Sequence, residues 1–305
     1  MGVRETYKLY IGGAFPRSES GRSYLVTGAR AGAAASPGTA GGPGATTPAN
    51  AALASRKDVR DAVVAARQAF PAWSGATAYN RGQVLYRVAE MAEGRRAQLA
   101  DEVAAAETCT TRAAAGLVDA AVDRLVWYAG WSDKVAQVAG SSNPVAGPYF
   151  NFSLPEPTGV VAVVAPQGSS LLGLVSVLAP VVVTGNTAVV LASEARPLPA
   201  VTLAEVLATS DVPGGVVNIL TGRTAELAPV LASHGDVDAI DLTGAGAGAG
   251  GGGGVDPAEL ERAAAANVKR VLTAPAVEPD WIEPQSPRRM LAFLETKTVW
   301  HPVGI

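Results

Sequence analysis

A chain of 305 residues has room for about two domains at roughly 150 residues each, and 48% hydrophobic content with a net charge of −3 excludes an intrinsically disordered polymer. With 24 basic against 27 acidic residues and no Lys/Arg run, it offers no field for a polyanion, which excludes nucleic acid as a partner. The most apolar stretch, Leu171–Val183, is shorter than the roughly 20 residues of a membrane span, no apolar leader opens the chain, and one cysteine permits no intrachain disulfide, so a cytoplasmic protein without membrane contact is expected.

Residues 1–27 read as an N-terminal β-hairpin segment, with Tyr7–Ile11 turning at Gly12-Gly13 into Ala14-Phe15. Residues 28–54 are dominated by Gly, Ala, Pro, Ser and Thr, with Leu53 the only larger apolar side chain, and read as a floppy low-complexity insertion. Ser55–Asp58 has the capping-box form, and Val59, Ala62, Val63, Ala66, Ala69 and Phe70 follow at helical spacing. A second helix is predicted through Val84, Leu85, Val88 and Met91. A third runs through Leu117, Val118, Ala121, Val122, Leu125 and Val126 into Trp127, Tyr128 and Trp131, a group read as packing rather than a substrate cage.

After Pro157 short β-branched runs alternate with helix-length segments. Strands are predicted at 159–165, 187–191, 216–220 and 237–242, with helices near 171–183, 198–209 and 224–233. This rhythm predicts an α/β fold, a parallel sheet with helices on both faces, whose ligands bind at the carboxyl ends of the strands: Ala165-Pro166, Leu191-Ala192, Thr221-Gly222 and Thr243-Gly244. Gly246, Gly248 and Gly251 satisfy G-x-G-x-x-G, yet any run built from Gly and Ala contains that pattern by chance, so Gly244–Gly254 reads as a linker. A short helix from Pro257 to Ala266, a Pro-spaced loop from Pro275 to Pro287 and an alternating strand, Glu295–Trp300, end the chain, with little sequence around that strand to pair with it.

These residues resemble the NAD(P)-dependent aldehyde dehydrogenase superfamily. The likeness lies in Ala69-Phe-Pro-Ala-Trp73, Tyr128–Lys134, Pro157–Pro166, Gly185-Asn-Thr187, Pro213–Gly222 and His234–Gly244, and covers most of residues 7–270 outside the insertion. It implies a helical N-terminal part plus a Rossmann-like sheet over 55–270, a coenzyme-binding-type domain, and over 271–305 a loop and a small oligomerisation β-extension. It further implies vestigial cofactor-binding positions at Ala165, Pro166, Ser193, Glu194, Thr243 and Gly244, with NAD or NADP bound weakly if at all.

The departures from the family concern its chemistry. Gly168 stands where the resemblance places an oxyanion asparagine, Leu191 where it places a ribose-binding lysine, and Ala274 near the position of the general-base glutamate. The catalytic domain with its nucleophilic cysteine is missing between Val271 and Leu291, after which Leu291–Trp300 resembles the family's terminal oligomerisation strand. Cys109 lies in the helical N-terminal part and reads as an ordinary thiol. His234 reads as a partly positive helix cap, and His301 merely follows a strand; with one cysteine they form no zinc cluster.

Three roles follow from the resemblance: a catalytically inactive subunit assembled with a full-length aldehyde dehydrogenase, an oxidoreductase or residual dinucleotide-binding protein in its own right, or a remnant without a role. The retained strand favours the first. It implies an interface made by Thr296, Lys297, Thr298, Val299 and Trp300, hydrogen-bonding to the partner's catalytic domain because the chain itself offers them no sheet. No residue is assigned as catalytic and none as a metal ligand.

Overall fold

The computed structural model describes residues 6–26, 48–246 and 255–304. At the N-terminal end β1 (Thr6–Tyr7), β2 (Ser23–Val26) and β3 (Ala49–Ala52) form a sheet in the order β1-β3-β2. Its middle strand falls inside the stretch expected to be a floppy insertion, and that expectation is corrected for Ala49–Ala52. Small residues cannot make a core by themselves, but here Tyr24, Val26 and Leu198 supply the bulk that buries Ala49 and Ala51. Residues 28–47 of the insertion lie outside the described residues. The Gly12-Gly13 turn forms, with φ of +62° and +83°, closed by two Ile11–Ala14 hydrogen bonds of 3.0 Å. The two arms pair across it, Leu9 N also donating to Pro16 O at 3.1 Å, and on its other edge Tyr10 bridges to Ile219.

The helices of the N-terminal part follow the apolar periodicity. In α1 (Arg56–Gly75) Ser55 and Asp58 make the predicted capping box, Ser55 N donating to Asp58 Oδ2 at 2.7 Å. The helices α2 (Ala78–Gly94) and α4 (Thr111–Trp131) match the second and third predicted segments. Between them α3 (Arg96–Glu107) escaped the reading, because only Leu99, Ala100 and Val103 are buried on it. A short α5 (Val135–Ala139) leads into β4 (Ser141–Asn143) and β5 (Tyr149–Pro157).

The β-branched runs become β6 (Val160–Val164), β7 (Thr187–Leu191), β8 (Val217–Leu220) and β9 (Ala239–Asp241), joined by an unforeseen β10 (Arg270–Leu272). All pair in parallel, in the order β10-β9-β6-β7-β8. Alternate residues divide between two cores. Val161, Val163, Ala188 and Val190 share one with α2, α4, α6 (Leu172–Val183) and α7 (Leu198–Ala208). Val160, Ala162, Val164 and Val189 share the other with α1, α8 (Thr224–Ser233) and α9 (Pro257–Ala265). Helices therefore cover both faces, as the unbroken apolar character of the strands requires. No helix among the described residues is long and apolar enough to cross a membrane.

After α10 (Arg288–Ala292) comes β11 (Leu294–Pro302), and here a second expectation is corrected. The terminal strand has a partner in its own chain. It runs antiparallel to β5, with Thr296, Lys297, Thr298, Val299 and Trp300 opposite Pro155, Leu154, Ser153, Phe152 and Asn151, in a sheet ordered β11-β5-β4. The two strands match in length, and side chains fix the register: Ser153 and Thr298 share a hydroxyl–hydroxyl hydrogen bond of 2.9 Å, and Lys297 reaches Glu156 at 2.9 Å.

Where α3 packs on α7 the fold buries a carboxyl group. Glu102 accepts from Gln98 Nε2 at 3.1 Å on Oε1, while Oε2 is buried without a hydrogen-bond partner among the described residues. Burial, with a smaller contribution from Glu205, pushes its pKa up to about 7 against Thr202, Gln98 and Arg95, which favour the charged form. A carboxyl whose folded pKa lies above its unfolded value of about 4.3 costs nothing in acid and lowers stability progressively as pH rises through the folded value. Glu102→Gln is thus expected to stabilise the chain by about 1–3 kcal/mol at pH well above neutrality and by nothing near the unfolded pKa. Urea denaturation at the two extremes checks this; a gain independent of pH would mean that charge is not the cause.

Candidate functional site

In the order β10-β9-β6-β7-β8 the connections leave β6 toward β7 on one side and return to β9 on the other. That reversal makes a switch point, and the crevice outside the carboxyl ends of β6 and β9 is where such a sheet receives ligands. Residues 165–170 form one lip, and the other is Leu242 followed by a single 3-10 turn, Thr243–Ala245. The lips touch. A Cβ on Gly244 would lie 1.8 Å from the carbonyl oxygen of Ala165, so only glycine permits this approach.

Gln167 ties the first lip to the loop after β7. Its Nε2 donates to Ala165 O at 2.8 Å and its Oε1 accepts from Glu194 N at 3.0 Å. Ser193 Oγ donates to Gln167 O at 3.1 Å. The structure thus brings Ala165, Pro166, Ser193, Glu194, Thr243 and Gly244 to one rim, where the sequence placed them. The loop at Thr221-Gly222 is already covered, Thr221 Oγ1 donating to Ala52 O of β3 at 2.6 Å.

Glu194, the one charged group among the six, is engaged. It pairs with Arg223 Nη1 at 2.7 Å and accepts from Thr224 N, at the start of α8, at 2.9 Å. Arg223 in turn stacks over the Tyr24 ring at 5.1 Å. Leu191 is completely buried in β7 and presents nothing to a ribose.

Thr243 belongs to a buried ionic cluster that the sequence did not reveal. Asp241, with no exposed surface, accepts from Thr243 N and from Arg289 Nη1, each at 2.9 Å, and also from Thr243 Oγ1. Burial pushes the Asp241 carboxyl upward, while Arg289 and the Thr243 contacts pull it back. Arg289 reaches this cluster from α10, its guanidinium 5.3 Å over the Trp281 ring.

The segment between β10 and α10 lies across the first lip. Glu278 accepts from Gly168 N at 2.9 Å and Ser169 N at 3.0 Å, and from Trp281 Nε1 at 3.0 Å. On the other side Glu107, at the end of α3, accepts from both Ser170 N and Ser170 Oγ at 2.7 Å. The amides ahead of α6 are therefore held by the protein's own carboxylates. With these carboxylates in place the amides of the first lip are not open to the phosphates of a dinucleotide, and Glu194 is held in its ion pair with Arg223.

Other candidates resolve more simply. Burial first, then Glu107, raises the Cys109 thiol above its ordinary pKa, opposite to what a thiolate nucleophile needs. The expectation of a partly positive His234 is corrected: burial lowers its pKa, and Nδ1 accepts from Asp236 N at 3.1 Å, so that nitrogen carries no proton. His301 is exposed on β11. Tyr128 is fully buried, with Trp127 edge-on at 4.9 Å and Trp131 a further 5.5 Å from Trp127, a packing group as expected. Of the G-x-G-x-x-G glycines, Gly248 and Gly251 lie outside the described residues. Among the described residues no cluster of His, Cys, Asp and Glu could hold a metal ion.

A sequence profile of the aldehyde dehydrogenase family matches residues 44–251. The putative aldehyde dehydrogenase DhaS of Bacillus subtilis is 32% identical over 272 residues, which is 88% of this chain and 50% of that protein. Among solved structures, HpcC from Thermus thermophilus superposes with a TM-score of 0.75 at 27% identity, over 88% of this chain and 47% of its own. PnpE in complex with nicotinamide adenine dinucleotide superposes with a TM-score of 0.75 at 29% identity, over 87% of this chain and 50% of its own. The chain spans about half the length of each of these three.

Proposed function

We propose that this chain, which belongs to the aldehyde dehydrogenase family, is a non-catalytic subunit that assembles with an intact family member through its β11-β5-β4 sheet. The observation that carries the reading is the state of that sheet. Among the described residues only one edge of β11 is paired, to β5, and Tyr149, Phe150, Leu154 and Trp300 on its strands are exposed. An unpaired edge beside large apolar side chains is a surface that proteins cover. Thr296, Lys297, Thr298 and Val299 would present that second edge to the partner's catalytic domain, in addition to their pairing with β5.

The experiment is co-expression of the tagged chain with a full-length aldehyde dehydrogenase from the same host. A stable complex is expected, lost in the double variant Phe150→Lys/Trp300→Lys, whose folding is checked by circular dichroism. A chain that elutes as a monomer beside the full-length enzyme overturns the proposal.

The retained switch point favours a second reading, residual dinucleotide binding, since PnpE, with the same fold, was solved with such a ligand. With Leu191 in place of a cation and Glu194 engaged, affinity for NAD or NADP is expected to be weak, with Kd on the order of 1 mM or above. Titration calorimetry giving a low-micromolar value would show that the remaining loops suffice.

A further inference from the structure

We propose that residues 275–287 form an internal plug, held by Glu278, that shuts the switch-point crevice and must leave before a dinucleotide enters. The proposal rests on the second reading above, residual dinucleotide binding, and specifies how that site is regulated.

Three observations support it. First, Glu278 takes up donors of the first lip that would otherwise be open to an anionic ligand. Its carboxylate gathers two backbone amides of the first lip and the Trp281 indole N–H, the three donors within 3.0 Å. Charge-assisted hydrogen bonds of this kind are the strong ones, and every donor given to Glu278 is denied to a ligand.

Second, the plug and the departure at position 168 depend on each other. A Cβ on Gly168 would lie 2.8 Å from Glu278 Oε2 and 3.1 Å from its Cδ and Oε1. Any side chain there displaces the carboxylate, so Gly168 is the space into which Glu278 fits. Gly173 does the same for the neighbouring indole, since its Cβ would lie 3.0 Å from Trp281 Nε1.

Third, the segment is clamped at specific points and otherwise loosely held. Trp281 is buried, its carbonyl accepts from Arg124 Nη2 at 2.7 Å, and Gln285 Oε1 accepts from Tyr128 OH at 3.3 Å. Beside these points the segment forms no helix or strand, and Val277 and Ile282 are 73% and 68% exposed. A segment with few buried apolar contacts opens at low cost relative to the sheet beneath it. Ligand affinity is then reduced by the fraction of molecules in which the plug is open.

The test uses the full chain as wild type and as Glu278→Ala, Glu278→Gln and Gly168→Ala, each checked for folding by circular dichroism. NAD+ is the probe. Its affinity is measured by titration calorimetry, and plug release by limited proteolysis within 275–287 and by hydrogen exchange at the Gly168 and Ser169 amides. The substitutions are expected to expose the plug and tighten NAD+ binding by about tenfold or more, and NAD+ should accelerate plug cleavage in the wild type. Glu278→Gln keeps the volume and serves if the alanine variant fails to fold. If NAD+ binds wild type and variants alike, with cleavage unchanged, the plug is refuted while dinucleotide binding stands. Should NAD+ bind none of them although the plug is released, the dinucleotide reading falls and the plug's competition with it.

Discussion

Purified as it stands, the 305-residue chain is expected to reduce no NAD(P)+ with any aldehyde, at neutral or alkaline pH. Oxidation of an aldehyde in the manner the family resemblance implies needs a thiolate to add to the carbonyl, a donor for the resulting oxyanion and a base to activate water. At the crevice the resemblance would put that donor at Gly168, which has no side chain to contribute and whose amide is committed to Glu278. Removing one oxyanion donor costs about 10²–10³ in rate, and removing a nucleophile about 10⁶. Such losses do not simply multiply, because the groups act as a unit. The single thiol is no substitute. Cys109 follows α3, and its pKa is raised, so little thiolate exists at neutral pH. NADH formation at 340 nm, roughly the usual assay wavelength, should therefore match the enzyme-free rate, and Cys109→Ser should change nothing. Turnover that disappears in Cys109→Ser would defeat the non-catalytic reading at its root.

Most of the parallel sheet was legible because strands buried on both faces must be apolar throughout, and Val160–Val164 and Thr187–Leu191 are almost pure Val, Ala, Leu and Thr. The capping box at Ser55 was legible for a similarly local reason. The failures share the opposite cause. Ala49–Ala52 carries no strand signal of its own, and becomes a strand because Tyr24 and Leu198, distant in sequence, cover it. β11 looked unpartnered because its partner, β5, lies well over a hundred residues earlier and is interrupted by Pro155. At the site, the six rim residues fell where strand ends placed them, whereas the groups that engage the rim did not. Glu278 binds amides 109 and 110 positions away, and Arg289 an aspartate 48 away. No periodicity or spacing rule connects such pairs. The one usable signal was Gly168 itself: a glycine in place of a side chain means that something else needs the room.

The Arg289–Asp241 pair should give the largest stability effect of any single surface-accessible side chain at the site. Asp241 is wholly buried, and the Arg289 side chain is 19% exposed. Isolated charge in such a place is costly, so truncating one partner typically loses about 3–5 kcal/mol, much of it the penalty on the charge left behind. Arg289→Ala is expected to lie in that range at neutral pH, and to loosen the Trp281 ring that the guanidinium covers. The sign of the pH dependence follows from Asp241. Its folded pKa is already raised, and loss of Arg289 raises it further, while the unfolded value stays near about 3.9. The extra cost of the substitution is thus full above the new folded pKa and shrinks as acid protonates the buried carboxyl toward the unfolded value. Adding Asp241→Asn should recover part of the loss at neutral pH, since a neutral amide leaves no orphaned charge. Lysine at 289 should recover less than its charge implies, because Thr243 Oγ1 lies 3.2 Å from both Nη1 and Nη2 of the fork, a geometry an ammonium does not reproduce. Urea denaturation of the three variants across acid and neutral pH measures each of these. An Arg289→Ala penalty that is the same in acid as at neutrality would show that packing of the arginine stem, not the Asp241 charge, holds this corner of the crevice together.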